Sequence, residues 1–368
     1  MQADMMNLLI VDDNLGDLET YTQSLDRFSE EHRFQISYKT FTEIESAIDA
    51  LHKTSFDGAI IDLRFGQNED KGNELIREIS HSLYRMPVVV LTGTPEAANH
   101  DLIKNMLVLK KGDEDASIDK IADYFLGIFV TGITRIMGKN GILEQTLQKV
   151  FYDYFLKQKN TWASYSVTDN MEMKNAVLRH ILQHIVHILD RKTEKYFPAE
   201  FYLYPVSNDN AEYPYTITTG DIYQKDGLSY IVMTPVCDLL LRKKKKETKR
   251  NTNIVLLAEI ENYKKHLDPG NIKNDDKLFQ SVRDKLNNTL PQDIFHLPKT
   301  HFFEGGFVNF RNLQYCQYDA IITNFRYTHT RVAPFFIRSL INKFGACYSR
   351  QGQPDIDTDM YLYTLQQQ

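Results

Sequence analysis

The chain has 368 residues with 43 Lys/Arg against 49 Asp/Glu, a formal net charge of −6, and 42% hydrophobic and 12% aromatic residues. That length calls for two or three domains, and that composition excludes a disordered, collagen-like or disulfide-stapled chain. Cys237, Cys316 and Cys347 lie far apart without metal-type spacing, as expected of a protein in a reducing compartment.

Four apolar runs in the first 112 residues each end in a polar group: Leu8–Val11 before Asp12-Asp13-Asn14, Ala59–Ile61 before Asp62, Val88–Leu91 before Thr92, and Leu107–Leu109 before Lys110-Lys111-Gly112. Continuous Val/Ile/Leu runs are the signature of parallel strands buried on both faces, and ligands gather at the carboxyl ends of such strands. Three acids, a hydroxyl and an ammonium are therefore expected on one edge. Three carboxylates held together repel unless they share a hard cation, and an incomplete oxygen cage suits Mg²⁺ with retained waters. Read alone, Asp12-Asp13-Asn14 is equally a strand-end turn with a helix N-cap, and Thr92-Gly93-Thr94-Pro95 a turn before a helix.

Taken together and in order, these residues resemble the receiver domain of two-component response regulators. The resemblance covers about the first third of the chain. It implies a flavodoxin-like, doubly wound α/β fold with a five-stranded parallel sheet, and Asp62 as the phosphoacceptor. It also implies Mg²⁺ held by Asp12, Asp13, Asp62 and the backbone carbonyl of Arg64, with Thr92 and Lys111 reading the phosphoryl group. A sensor histidine kinase or another phosphodonor would be the partner, and enzymatic activity beyond self-phosphorylation and dephosphorylation is not expected. The chain departs from the family pattern at Gly112, where proline is usual, and at Val108, where an aromatic switch residue is usual. Only 19 positions separate Thr92 from Lys111, so a short fourth helix is expected.

The domains expected are a receiver over 1–130, a helical linker over 131–196 and a β-rich output domain over 197–368. Charge divides the chain in the same way. Residues 1–130 hold 12 Lys/Arg against 24 Asp/Glu, and residues 131–368 hold 31 against 25. Opposite signs favour either mutual docking or an anionic partner for the second portion. The first apolar run lies between Asp4 and Asp12, unlike a secretory leader, and the apolar stretch between Asp123 and Arg135 is too short to cross a bilayer. A cytoplasmic bacterial protein without membrane contact is expected.

In the linker, Leu143, Leu147, Val150, Phe151 and Tyr154 recur at helical spacing. A second helix is predicted from Met171 to Asp190, with Val177, Leu178, Ile181, Leu182, Ile185, Val186, Ile188 and Leu189 on a broad apolar arc. His180, His184 and His187 fall opposite that arc. A metal site or a phosphotransfer helix would use such a row, but no acid or cysteine completes a ligand set, so the row is read as solvated or facing a partner.

From Phe197 onward short β runs dominate: Phe201–Tyr204, Tyr215–Thr218, Ser229–Met233, Asn253–Leu257, Gly306–Phe310 and Ala320–Thr323. Helices are predicted around Leu278, Phe279, Val282 and Leu286, and after Pro334. The expected unit is α+β, a small, partly closed barrel with helical insertions. About twenty residues from Gly220-Asp221-Ile222-Tyr223 to Pro235 resemble the SH3-like barrels of RNA-cleaving addiction toxins, without an assignable catalytic arginine or histidine. Cys237 reads as a buried packing residue. Arg242, Lys243, Lys244, Lys245, Lys246, Lys249 and Arg250 form an exposed basic hairpin, which is a solvated loop, a nucleic-acid contact or a dock for the acidic portion.

Two functions are consistent with these features. One is a phosphorylation-controlled signalling protein with a non-standard output module. The other is a regulated effector acting on nucleic acid in a bacterial conflict or phage-defence system. Oligomeric state is left open by the sequence.

Overall fold

Leu8–Val11, Gly58–Ile61 and Val88–Thr92 have no polar side to offer solvent, so they fold where both faces are covered. In the computed structural model they become β1 (Met5–Val11), β3 (Gly58–Ile61) and β4 (Val88–Thr92), joined by β2 (Gln35–Phe41) and β5 (Leu107–Lys110). The strands are parallel and ordered β2-β1-β3-β4-β5, the flavodoxin-like order. The structure describes residues 5–68, 71–165, 171–190, 195–204, 216–244, 247–266, 286, 290–349 and 356–367. The chain divides into two compact units, Met1–Lys192 and Thr193–Gln368.

Strand pleating sends Met6, Leu8 and Ile10 to one face of the first sheet and Leu9 and Val11 to the other. The first face packs on α1 (Leu15–His32) and α4 (Ile118–Phe129), the second on α2 (Ile44–Lys53) and α3 (Gly72–His81). Asn14 starts α1, its side chain accepting hydrogen bonds from the N–H groups of Gly16 and Asp17. Between β4 and β5 the described helix is a single 3₁₀ turn, Pro95–Ala97, shorter even than the sequence suggests.

Beyond α4 the chain returns to the amino edge of the sheet. Helix α5 (Ile133–Met137) and the turn before α6 (Ile142–Val150) are tied there: Thr134 Oγ1 donates to Asp57 (2.6 Å), Ser55 Oγ to the Lys139 carbonyl (2.8 Å), and Arg85 pairs with Glu144 (2.5 Å). Helix α6 runs through a π-helical turn, Phe151–Phe155, towards α7 (Lys159–Tyr165) and packs against α8 (Met171–Asp190). The histidine row does not lie wholly on a solvent face. His180 and His184 are half-buried among Tyr154, Phe155 and Trp162, while His187 is exposed. Burial first, then the neighbouring His180 and His187, hold the His184 imidazole below its usual pKa. Tilted and edge-to-face ring contacts hold this side of α8 inward, and Leu178, Leu182, Val186 and Leu189 of the apolar arc are exposed.

The second unit is built on a seven-stranded antiparallel sheet. Its strands are β6 (Tyr202–Leu203), β7 (Asp221–Lys225), β8 (Leu228–Val232), β11 (Ile254–Glu261), β12 (Ile294–Leu297), β13 (Gly306–Gln317) and β14 (Arg326–Val332), in the order β12-β13-β11-β8-β7-β14-β6. Ile222, Ile231, Ala258 and Phe310 face the helix Pro334–Tyr348, and Tyr223, Val232 and Leu257 face the helix Tyr318–Asn324. Bulges at Ala258/Glu259 and between Tyr327 and Arg331 bend the sheet.

Several local readings are corrected. Ala320–Thr323 is helical, because Tyr318 and Ile321 bury on one side at a spacing of three while Ile322 is left exposed. Thr216–Thr218 is not a strand, and Tyr215 lies outside the described residues. Strands β12 and β14 were not read from the sequence. Cys237 is exposed, since the short helix Val236–Leu239 turns Leu239 inward instead. The helix expected around Leu278, Phe279 and Val282 lies outside the described residues.

Candidate functional site

Register assembles the site. In the β1/β3 pair Val11 stands beside Ile61, so the next residues, Asp12 and Asp62, emerge side by side at the carboxyl edge. In the β4/β5 pair Thr92 stands beside Lys110, so Lys111 is the first residue beyond the strand. The five strand-end side chains expected to converge are thus Asp12, Asp13, Asp62, Thr92 and Lys111. Asp12, Asp62 and Thr92 are buried and Asp13 is exposed.

Lys111 is the hub. Its Nζ lies 2.7 Å from Asp12 Oδ2, 2.8 Å from Asp62 Oδ2 and 2.8 Å from Asp17 Oδ2. Burial opposes the charge on Lys111, but the hydrogen bonds it donates to three carboxylates outweigh it and raise its pKa. Asp12 is raised as well, because burial outweighs its bonds to Lys111 and to the Asn14 N–H. The Tyr21 hydroxyl donates to Asp12 Oδ2 (3.4 Å), and burial pushes that phenol upward.

The remaining oxygens are held by backbone. The Arg64 N–H donates to Asp62 Oδ1 (3.2 Å), and the Gly66 N–H donates to Asp13 Oδ2 (2.5 Å). The Arg64 side chain folds back towards the Gly66 carbonyl (3.3 Å). Thr92 Oγ1 accepts from the Thr94 N–H (3.3 Å). Gly72 lets α3 begin directly against this loop: a Cβ there would stand 2.2 Å from the Asp62 carbonyl oxygen and 2.7 Å from Leu63 Cα. Gly112 takes a φ of +93°, which proline at that position cannot adopt.

Asp12, Asp13 and Asp62 can each present one carboxylate oxygen, all within 4.8 Å of one another. Among the described residues no histidine or cysteine cluster offers a comparable set. Hard oxygen donors at this separation fit a divalent cation of the Mg²⁺ type. Sequence reasoning missed Asp17 and Tyr21. The signal was present, since the Asn14 cap fixes where α1 starts and residues 17 and 21 are one turn apart on the same face.

The basic hairpin forms as an antiparallel ribbon, β9 (Arg242–Lys244) and β10 (Glu247–Lys249), with Lys245 and Lys246 outside the described residues. Arg250 does not belong to a solvent-facing basic set. Its Nε donates to the Leu239 carbonyl (3.1 Å), and its guanidinium lies 3.7 Å from the Tyr318 ring centroid. Among the described residues no single helix is long and apolar enough to cross a membrane.

No protein-family model matches the chain, and no curated protein matches it. Its first third is similar to solved receiver domains. The response regulator TrrA of Thermotoga maritima, solved with Mg²⁺-BeF, is 16% identical over 33% of this chain and 99% of that one, with a TM-score of 0.28. A CheY-like receiver domain from Methanospirillum hungatei JF-1 is 20% identical over 35% of this chain and all of that one, with a TM-score of 0.27. The signal receiver domain of a putative LuxO repressor from Vibrio parahaemolyticus is 16% identical over 37% and 100%, with a TM-score of 0.29.

Proposed function

We propose that the first unit is a phosphorylatable receiver and that Asp62 is its phosphoacceptor. The observation that carries this reading is the contact of one lysine, Lys111, with both buried acids, Asp12 and Asp62, at the carboxyl edge of a β2-β1-β3-β4-β5 sheet. Asp12, Asp13 and Asp62, with the Arg64 carbonyl, are the residues that would hold Mg²⁺. When bound, the ion supplies positive charge that allows phosphoryl oxygens to approach three carboxylates.

The chain's own groups do the rest. An Asp62 carboxylate oxygen attacks phosphorus as the donor's P–O bond breaks, and the leaving group departs with that electron pair. Lys111 moves a hydrogen bond from carboxylate to phosphoryl oxygen, and the Thr92 hydroxyl donates a second. Burial of Asp12, Asp62 and Thr92 keeps bulk water from these charges and strengthens each contact. The donor is a histidine kinase or a small acyl phosphate. The second unit is the output module whose activity the phosphoryl group sets.

The test is labelling by radioactive acetyl phosphate. Label that needs Mg²⁺, disappears with chelator and is missing from Asp62→Asn supports the reading. Label that is indifferent to the ion, or equal in the variant, contradicts it.

A further inference from the structure

The second unit holds a cavity of about 580 Å³, a size that small organic ligands fill. One side of it is the helix Pro334–Tyr348, whose Pro334, Ile337, Arg338 and Ile341 recur at the spacing of a single helical face. Met233 and Val332, at the ends of β8 and β14, line it as well, together with Leu203 and Val236. Among the described residues the lining carries no aromatic ring. It therefore suits a hydrocarbon chain better than a base or a planar acid, which gain from stacking on a ring face.

Two guanidinium groups interrupt the apolar lining. Arg331 is anchored: its Nε donates to Asp221 Oδ1 (2.5 Å), and Asp221, fully buried, also accepts from the Thr218 N–H (2.7 Å) and the Tyr327 hydroxyl (3.4 Å). Asp221 thus balances the Arg331 charge and fixes that side chain beside the cavity. Arg338 brings a second positive charge from the helix face, and among the described lining residues no acid answers it. Asp238, the acid next to Cys237, is not one of them and accepts from Asn251 Nδ2 (2.9 Å). One cation over an apolar space calls for an apolar body with one negative charge. A guanidinium fork matches a carboxylate in shape and charge, whereas a phosphate monoester would bring about −1.5 to −2.

We propose that this cavity binds an aliphatic monocarboxylate, its chain along Met233, Val332, Ile337 and Ile341 and its head group on Arg338. Cys237 lines the same cavity with an exposed thiol, so an occupant shields it. The site draws nothing from Asp62, and its test runs on unphosphorylated protein.

Equilibrium dialysis of the full chain against radioactive decanoate measures binding, and iodoacetamide labelling of Cys237, read by peptide mass spectrometry, measures its place. Decanoate should bind saturably and slow Cys237 labelling over the same concentration range, while Cys316 on β13 keeps its own rate. Decanol should bind more weakly, and decyl phosphate and benzoate should compete less well than unlabelled decanoate. Arg338→Gln, an exposed change, should weaken decanoate about tenfold, the loss expected for one hydrogen bond to a charged group, and leave decanol unaffected. Arg338→Lys, which keeps the charge, should recover part of that loss. No saturable binding, equal binding of decanol, an unchanged constant in Arg338→Gln, unshielded Cys237, or stronger competition by decyl phosphate or benzoate would overturn the proposal.

Discussion

Asp17 Oδ2 stands 2.8 Å from Lys111 Nζ, the same distance at which Lys111 meets Asp62. A lysine shared with an acid outside the metal-type cluster is only partly free to bind a phosphoryl group. Asp17→Asn should leave Lys111 to the phosphoryl oxygens and lengthen the life of the acyl phosphate about two- to fivefold, the range expected for a partly exposed pair. Decay of labelled protein after donor removal measures it, and an unchanged or shorter half-life would count against the sharing.

Lys111→Met leaves Asp12 and Asp62 buried without their cation. Removing one side of such a cluster costs about 3–5 kcal/mol. Because the loss comes from carboxylate repulsion, MgCl₂ should raise the melting temperature of the variant more than that of the parent. Equal shifts would mean the acids do not share an ion.

Gly72→Ala pushes a methyl group to within 2.2 Å of the Asp62 carbonyl oxygen, where only backbone can yield. It should cost roughly 1–3 kcal/mol in urea unfolding and slow phosphorylation as well. Gly127, inside α4 with open space around its Cβ position, is the control. Gly127→Ala should stabilise the protein by about 0.5–1 kcal/mol.

In the second unit, Tyr263 Oη lies 2.8 Å from the Leu297 carbonyl and 2.9 Å from His296 Nε2. The phenol has one proton, which goes to the carbonyl, so His296 must donate from Nε2. Burial lowers the His296 pKa to about 4, against about 6.5 for a free imidazole. Below about 6.5 the unfolded chain takes a proton that the folded chain refuses, so this contribution is full above that pH and is lost as pH falls towards about 4. His296→Gln should flatten stability across that window. A parallel acid decline in parent and variant would show that His296 is charged in the fold.

The N-terminal sheet was legible because each buried strand is a plain apolar run and its last residue announces the edge. Asp12, Asp13, Asp62 and Thr92 fall at those strand ends, and taking them together and in order, as the resemblance to receiver domains does, is what favours a site over turns and selects Lys111 over Lys110. The signal for Asp17, its register with the Asn14 cap, is masked because an acid in the first turn of a helix is ordinarily satisfied by the backbone there. The orientation of α8 was misread for a related reason. Its wheel offers two apolar seams, and only the aromatic contacts of Tyr154, Phe155 and Trp162 with His180 and His184 choose between them. In the second unit Ala320–Thr323 has strand-like composition, yet burial of Tyr318 and Ile321 makes it a helix. Edge strand β12, at four residues, leaves too little alternation to read.

The central claim is that Asp62, and no other acid of the cluster, accepts phosphate. Borohydride converts an aspartyl phosphate to homoserine, so reduction after acetyl phosphate treatment followed by peptide mapping reads the position directly. The account predicts homoserine at residue 62 alone. Homoserine at Asp12, Asp13 or Asp17, or at no position, would contradict it.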